Sequence, residues 1–96
     1  LPVYPAVTRD LSLSLPHGER VSDLVTTLVA LSIPTLEDIE LTDYYEGAEL
    51  AAEGTVSATF RLTFRSPDRT LTDAEVEREV AKIHSALADR HQARIR

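Results

Sequence analysis

At 96 residues the chain has the size of one small domain, with room for a modest core and little left over for a deep pocket. It contains no cysteine, which excludes a disulfide framework, a thiolate zinc site and a cysteine nucleophile. A formal charge of −6 argues against a free-standing nucleic-acid binder of the uniformly basic kind.

From the N-terminus, Arg9-Asp10-Leu11-Ser12-Leu13-Ser14-Leu15 alternates polar and apolar residues, the period of a half-buried strand. Pro16-His17-Gly18 reads as a turn. Val21, Leu24, Val25, Leu28 and Val29 recur at helical spacing, with Ser22 or a neighbour as the expected N-cap and Pro34 beyond the end. Leu36, Ile39 and Leu41 open a second strand that runs to about Tyr45. Residues 46–54, with two glycines and no strong pattern, read as a hairpin loop. Residues 56–65 form the clearest strand: Ala58, Phe60, Leu62 and Phe64 point one way, and Ser57, Thr59, Arg61, Thr63 and Arg65 the other.

A turn at Ser66-Pro67 follows. Thr72 as N-cap and Glu75 three residues on form a capping box, with Leu71 and Val76 placed as the hydrophobic staple. Val76, Val80, Ile83 and Leu87 mark a second amphipathic helix, and residues 93–96 a short last strand. Arg69 is expected to serve structure, paired with Asp68 or Asp10, with an RNA contact as the alternative.

The order β-α-β-β-α-β is that of an α+β, ferredoxin-like sandwich. Right-handed crossovers put both helices on one face of a four-stranded antiparallel sheet in the order 4-1-3-2. The other face is left uncovered. With Leu11, Leu13, Leu15, Ile39 and Leu41 beneath the helices, the open face is expected to carry Ser12, Ser14, Glu40, Thr42, Tyr44, Thr63 and four arginines: Arg61, Arg65, Arg94 and Arg96. Guanidinium groups pair with phosphate oxygens and stack on bases, and a tyrosine stacks one base. The same pattern suits a solvated face, a docking surface for another protein, or a small-molecule regulatory domain.

Charge is unevenly spread. Residues 1–53 hold two arginines against ten acids, and residues 54–96 eight basic residues against six acids. Acids from Glu37 to Glu53 form a block without a basic residue. Strand alternation is expected to send Glu37, Asp38, Glu40, Asp43 and Glu46 to opposite faces, as a solvated acidic edge and not a cation site. His17, His84 and His91 read as surface histidines; the last two lie seven residues apart, roughly 10 Å along a helix, too far to share a metal ion. No nucleophile–base pair, phosphate-binding glycine loop or zinc motif is present. No apolar run reaches the ~20 residues of a membrane helix, nor is there a signal peptide. The chain begins at Leu1 and has no methionine, which points to a segment cut from a longer protein.

Several stretches carry a resemblance over essentially the whole chain: Tyr4-Pro5-Ala6-Val7, Arg9-Asp10-Leu11-Ser12-Leu13, Asp43-Tyr44-Tyr45-Glu46-Gly47, the specific run from Phe60 through Arg65-Ser66-Pro67-Asp68-Arg69-Thr70-Leu71-Thr72-Asp73, and Ala93-Arg94-Ile95-Arg96. Together they resemble the ferredoxin-fold anticodon-binding domain at the C-terminus of bacterial phenylalanyl-tRNA synthetase beta subunits. The resemblance implies a single non-catalytic domain over residues 1–96 that holds the anticodon stem-loop of the phenylalanine tRNA, tRNA(Phe). It also implies a cytoplasmic parent of two alpha and two beta subunits, with ATP and magnesium used in the alpha subunit and no cofactor in this domain. The family commonly carries lysine where Thr55 and Val56 stand here, which shifts the expected RNA contacts to Arg61, Arg65, Arg94 and Arg96, with Tyr44, Ser12, Ser14 and Thr63 beside them.

Overall fold

The computed structural model describes residues 4–95, the side chains of residues 49 and 51 excepted. Strand β1 (Val7–Pro16) is followed by helix α1 (Val21–Ala30), strand β2 (Leu36–Tyr45), a short helix α2 (Ala48–Glu53), strand β3 (Thr55–Phe64), helix α3 (Asp73–His91) and strand β4 (Arg94–Ile95). The sheet order is β2-β3-β1-β4, with every neighbouring pair antiparallel. This is the ferredoxin-like arrangement, the expected order read from the opposite edge.

The period-2 patterns of β1 and β3 decide what is buried. Leu11, Leu13 and Leu15 meet Phe60, Ala58 and Val56 across the β1–β3 ladder, and all six are buried. Leu24 and Leu28 of α1 and Val76, Ile83 and Leu87 of α3 close over them in one cluster. Each fully buried leucine or phenylalanine contributes roughly 1.5–3 kcal/mol through removal of its apolar surface from water. Burying one face this way also locks the register, because a one-residue slip would turn every inward leucine of β1 out to water.

Local chemistry sets the helix ends. Thr72 Oγ1 accepts the backbone N–H of Glu75 at 3.2 Å, and the Glu75 carboxylate accepts the backbone N–H of Thr72 at 3.2 Å. The capping box is thus reciprocal, with Leu71 and Val76 both buried beside it. Ser66, also buried, accepts the backbone N–H of Asp68 at 3.2 Å and shapes the turn ahead of it. Helix α1 departs from expectation. Its N-cap is Arg20, which makes no side-chain capping bond. Ser22 lies inside the first turn, where its carbonyl accepts from Thr26 Oγ1 at 2.9 Å.

Residues 46–54 are not simply a hairpin loop. Ala48–Glu53 forms α2, and Leu50 is buried. The sequence signal was the run of strong helix formers between Gly47 and Gly54. Gly54, at φ +74°, ends the helix in a conformation that costs side-chain-bearing residues far more. Its carbonyl accepts the backbone N–H of His17 at 2.7 Å, which ties the turn after β1 to the start of β3.

His91 also departs from the expected surface position. Its side chain is only 12% exposed and lies 3.3 Å from Glu19 Oε2 through Nδ1. Nε2 lies 2.7 Å from Thr27 Oγ1. The imidazole is a strut between the end of α3 and the α1 region.

Candidate nucleic-acid interface

The helix-covered face leaves the other side of the sheet open among the described residues. Ladder register shows which side chains share it, since directly opposed residues point the same way. Ser12 faces Thr59, Ser14 faces Ser57, Asp10 faces Arg61 and Thr8 faces Thr63. On the outer side of β1, Arg94 faces Ser14. The expected Ser12, Ser14, Arg61, Thr63 and Arg94 are therefore brought to one face. Arg65 continues the alternation one residue beyond β3, and its backbone N–H donates to Thr35 O at 2.8 Å. Arg96 lies outside the described residues. Ser12 Oγ and Thr59 Oγ1 are 3.0 Å apart, so the middle of the face is a patch of half-buried hydroxyls.

β2 holds a correction. Two register shifts, between Leu36 and Asp38 and between Leu41 and Asp43, interrupt its pairing with β3. Each inserts one unopposed residue and resets the alternation. Beyond the second, Tyr44 faces Ala58, which is fully buried on the helix side, and Tyr45 faces Ser57 on the open side. The expected Tyr44 is thus not on the open face. Its hydroxyl donates to Glu46 Oε1 at 2.7 Å, and that hydrogen bond, with burial and the charge of Glu46 adding to it, raises the phenol above its ordinary value. Tyr45, 48% exposed, supplies the aromatic ring of the open face. A side-chain carbon on Gly47 would overlap that ring, so glycine here lets the chain pass close to the tyrosine. Thr42 sits at the shift and donates to Thr59 O at 3.3 Å. Leu41 keeps the inward side, opposite Phe60, but is 41% exposed at the sheet edge.

The same shifts gather acids that simple alternation would separate. Asp38, Glu40 and Asp43 face Thr63, Arg61 and Thr59 in turn, all on the open side. No group of three carboxylates or histidines converges as metal ligands do among the described residues. Other carboxylates pair with the arginines of this face, and Glu40 adds its charge. Arg61 Nε donates to Asp10 Oδ1 at 3.1 Å, and Glu40 lies directly opposite on β2. The Asp10 hydrogen bond and charge, with Glu40 adding to them, hold the guanidinium above its usual range. Arg65 Nε approaches Glu37 Oε2 at 3.6 Å, an ion pair rather than a hydrogen bond, which leaves the buried Nε without a hydrogen-bond partner. Arg94 has no ion pair among the described residues.

Two further arginines lie away from this face. Arg9 faces Leu62 on the helix side and clamps the first turns of α3 through Asp73 at 3.2 Å and Glu77 at 3.3 Å. Arg69 does serve structure, but its partner is the capping-box residue Glu75 rather than Asp68 or Asp10. At the edge beside β4, Ser14, Glu53, Gly54, Thr55, Gln92 and Arg94 line an open cleft of about 710 Å³. It is continuous with the hydroxyl patch through Ser14. The arrangement presents hydrogen-bonding hydroxyls, guanidinium groups and an aromatic ring on a broad surface, groups that can pair with phosphate oxygens and stack on bases.

Comparison with known proteins finds related sequences. A family model described as the ferredoxin-fold anticodon binding domain matches residues 2–96. The chain is 37% identical over 95 residues to the phenylalanine–tRNA ligase beta subunit of Nitratidesulfovibrio vulgaris, covering 99% of the chain and 12% of that protein. It is 38% identical over 96 residues to the beta subunit of Clostridium tetani, covering 100% and 12%. It is 38% identical over 93 residues to that of Streptococcus pyogenes serotype M1, covering 97% and 12%. The chain thus spans about an eighth of the length of these relatives.

Proposed function

The chain belongs to the ferredoxin-fold anticodon-binding domain family, and on that premise we propose that it binds the anticodon loop of a phenylalanine tRNA as a non-catalytic part of a phenylalanine–tRNA ligase beta subunit. The observation that carries this reading is the open sheet face. Ser12, Ser14, Ser57 and Thr59 form its hydroxyl centre, Arg94 supplies a cation without an ion pair among the described residues, Arg61 and Arg65 lie beside carboxylates, and Tyr45 supplies the ring. Phosphates position such a complex, and unstacked loop bases lie against the sheet. In the parent enzyme, ATP and magnesium would be used in a partner alpha subunit within a cytoplasmic two-alpha, two-beta assembly. This domain would add affinity and tRNA identity.

With a net charge of −6, binding by the domain alone is expected to be weak. Contacts made elsewhere on the same tRNA raise its effective concentration in the whole enzyme. The test is a titration of isotope-labelled chain with a tRNA(Phe) anticodon stem-loop at low salt. Amide shifts at Ser12, Ser14, Ser57, Thr59 and Arg94 are expected. Shifts confined to α1 and α3, or none, would sink the reading.

A further inference from the structure

The three arginines of the open face differ in their surroundings, and the difference predicts where a phosphate chain can run. Arg61 lies between two strands that each present a carboxylate to it: Asp10 on β1, hydrogen-bonded at 3.1 Å, and Glu40 on β2, directly opposite. A phosphate approaching Arg61 meets two negative charges for one positive. Asp38 and Asp43 extend the same strip along β2. Arg65 is drawn to Glu37 at 3.6 Å.

Arg94 stands at the other edge. Strands in a sheet are about 4.8 Å apart, so β2 lies roughly 14 Å from β4. That exceeds the screening length of about 8–10 Å at ordinary ionic strength. Arg61 lies well inside it. The β2 carboxylates are therefore within reach of Arg61, where Glu40 adds to the larger effect of Asp10, and act hardly at all on Arg94. Asp10 is four residues along β1 from Ser14, the register partner of Arg94, again roughly 14 Å at 3.4 Å per residue. Glu53 lines the same cleft as Arg94; no ion pair joins them among the described residues. The surface between is polar but uncharged: Ser12, Ser14, Ser57 and Thr59.

We propose, resting on the anticodon-loop reading above, that the RNA backbone crosses only the β1–β4 half of the open face. Arg94 is its phosphate cation, and the cleft beside β4 is its point of entry. Arg61 stays with Asp10 and touches no phosphate; it neutralises the boundary. The acidic strip on β2 is the edge that the backbone does not cross. Carboxylates accept hydrogen bonds and do not donate them, so that strip admits base amino groups and repels phosphate oxygens.

The salt dependence of binding separates the two arginines, because each phosphate contact contributes about one unit to the slope of log affinity against log salt. The probe is a fluorescein-labelled tRNA(Phe) anticodon stem-loop, titrated with the chain by anisotropy between about 50 and 200 mM salt. Arg94→Ala is expected to weaken binding roughly tenfold at the lower salt and to lower the slope by about one unit. Arg94→Lys, which keeps a point charge, should preserve the slope. Arg61→Gln should leave the slope unchanged, whatever it does to affinity through the uncovered acids. The double variant Asp10→Asn with Glu40→Gln frees Arg61 and should tighten binding. Thermal melts verify that each variant is folded. Equal loss of slope in Arg61→Gln and Arg94→Ala, or an unchanged slope in Arg94→Ala, overturns the proposal while leaving the anticodon-loop reading intact. No binding by the unsubstituted chain at the lowest salt overturns both.

Discussion

Replacing Thr72 by alanine tests whether the run from Arg65 to Asp73 is architecture or ligand contact. In the fold, Thr72 Oγ1 accepts from the Glu75 backbone N–H at 3.2 Å and donates to Glu75 Oε1 at 3.2 Å. Alanine removes both bonds and leaves one N–H of the first turn of α3 without its protein acceptor. The Thr72 N–H to Glu75 bond survives, since it needs no side chain at 72. Losing an N-cap hydroxyl costs about 1 kcal/mol. In a domain of this size that lowers the melting temperature by roughly 4–8 °C. Thr72→Ser keeps the acceptor and should melt within a few tenths of a kcal/mol of the parent, roughly 2 °C at most. The cap lies on the covered side of the sheet, where Arg9 reaches Asp73 at 3.2 Å, so RNA affinity at a temperature well below the transition should not change. Urea or thermal denaturation followed by circular dichroism, with anticodon stem-loop titration of the same samples, measures both. A melting curve superposable on the parent, or a loss of RNA affinity in fully folded Thr72→Ala, would refute the reasoning.

The same cap predicts an acid limb. Glu75 is held below its ordinary value of 4.5 first by the Arg69 hydrogen bond, then by the backbone N–H of Thr72. A depressed carboxylate stabilises the fold above the unfolded-state value and loses that contribution as pH falls through the folded one. Melting temperature should therefore drop below about pH 4.5, and Glu75→Gln should show a shallower drop. Phe60→Ala, at a side chain with 0% exposure, should cost about 3–5 kcal/mol, a large share of the ~5–15 kcal/mol available to a domain; equilibrium urea unfolding reads this directly. Thr27→Val keeps the size of the side chain but strips His91 Nε2 of its partner at 2.7 Å. A cost of about 1–3 kcal/mol is expected for the unsatisfied group, measured by urea unfolding. Gln92, the C-cap of α3, is left-handed at φ 54°. Gln92→Gly should relieve roughly 1 kcal/mol of backbone strain, less what glycine gains in unfolded-state freedom, seen as a higher melting temperature.

How far the sequence could be read depended on the element. β1 and β3 were legible because each is central in the sheet and buried on one side, so hydrophobicity alternates without interruption from Leu11 to Leu15 and from Val56 to Phe64. The capping box was legible because its partners are three residues apart. α2 was missed because six residues give a helical period too little room, although its alanines and flanking glycines were the available signal. β2 was misread in its second half. It is an edge strand, exposed from Glu40 to Tyr45, so burial does not enforce alternation there, and the shift at Thr42 leaves no mark in the local pattern. That single residue exchanges Tyr44 for Tyr45 on the open face and places Asp43 with Asp38 and Glu40. The role of Arg69 was visible in kind, but its partner Glu75 depends on how the turn folds back on the helix.

What the chain determined by itself were the interactions of short range: strand and helix periods, the cap of α3, and through them the β-α-β-β-α-β order. Even the family is written in local runs such as Phe60 to Asp73. The electrostatic character of the open face was decided only by the tertiary structure. Arg61 is bound to Asp10, fifty-one residues away, and faces Glu40 across β2, whereas Arg94 stands beyond the screening length of the β2 acids. Charge pairing depends on distance in space, and strand register, bulges included, sets that distance.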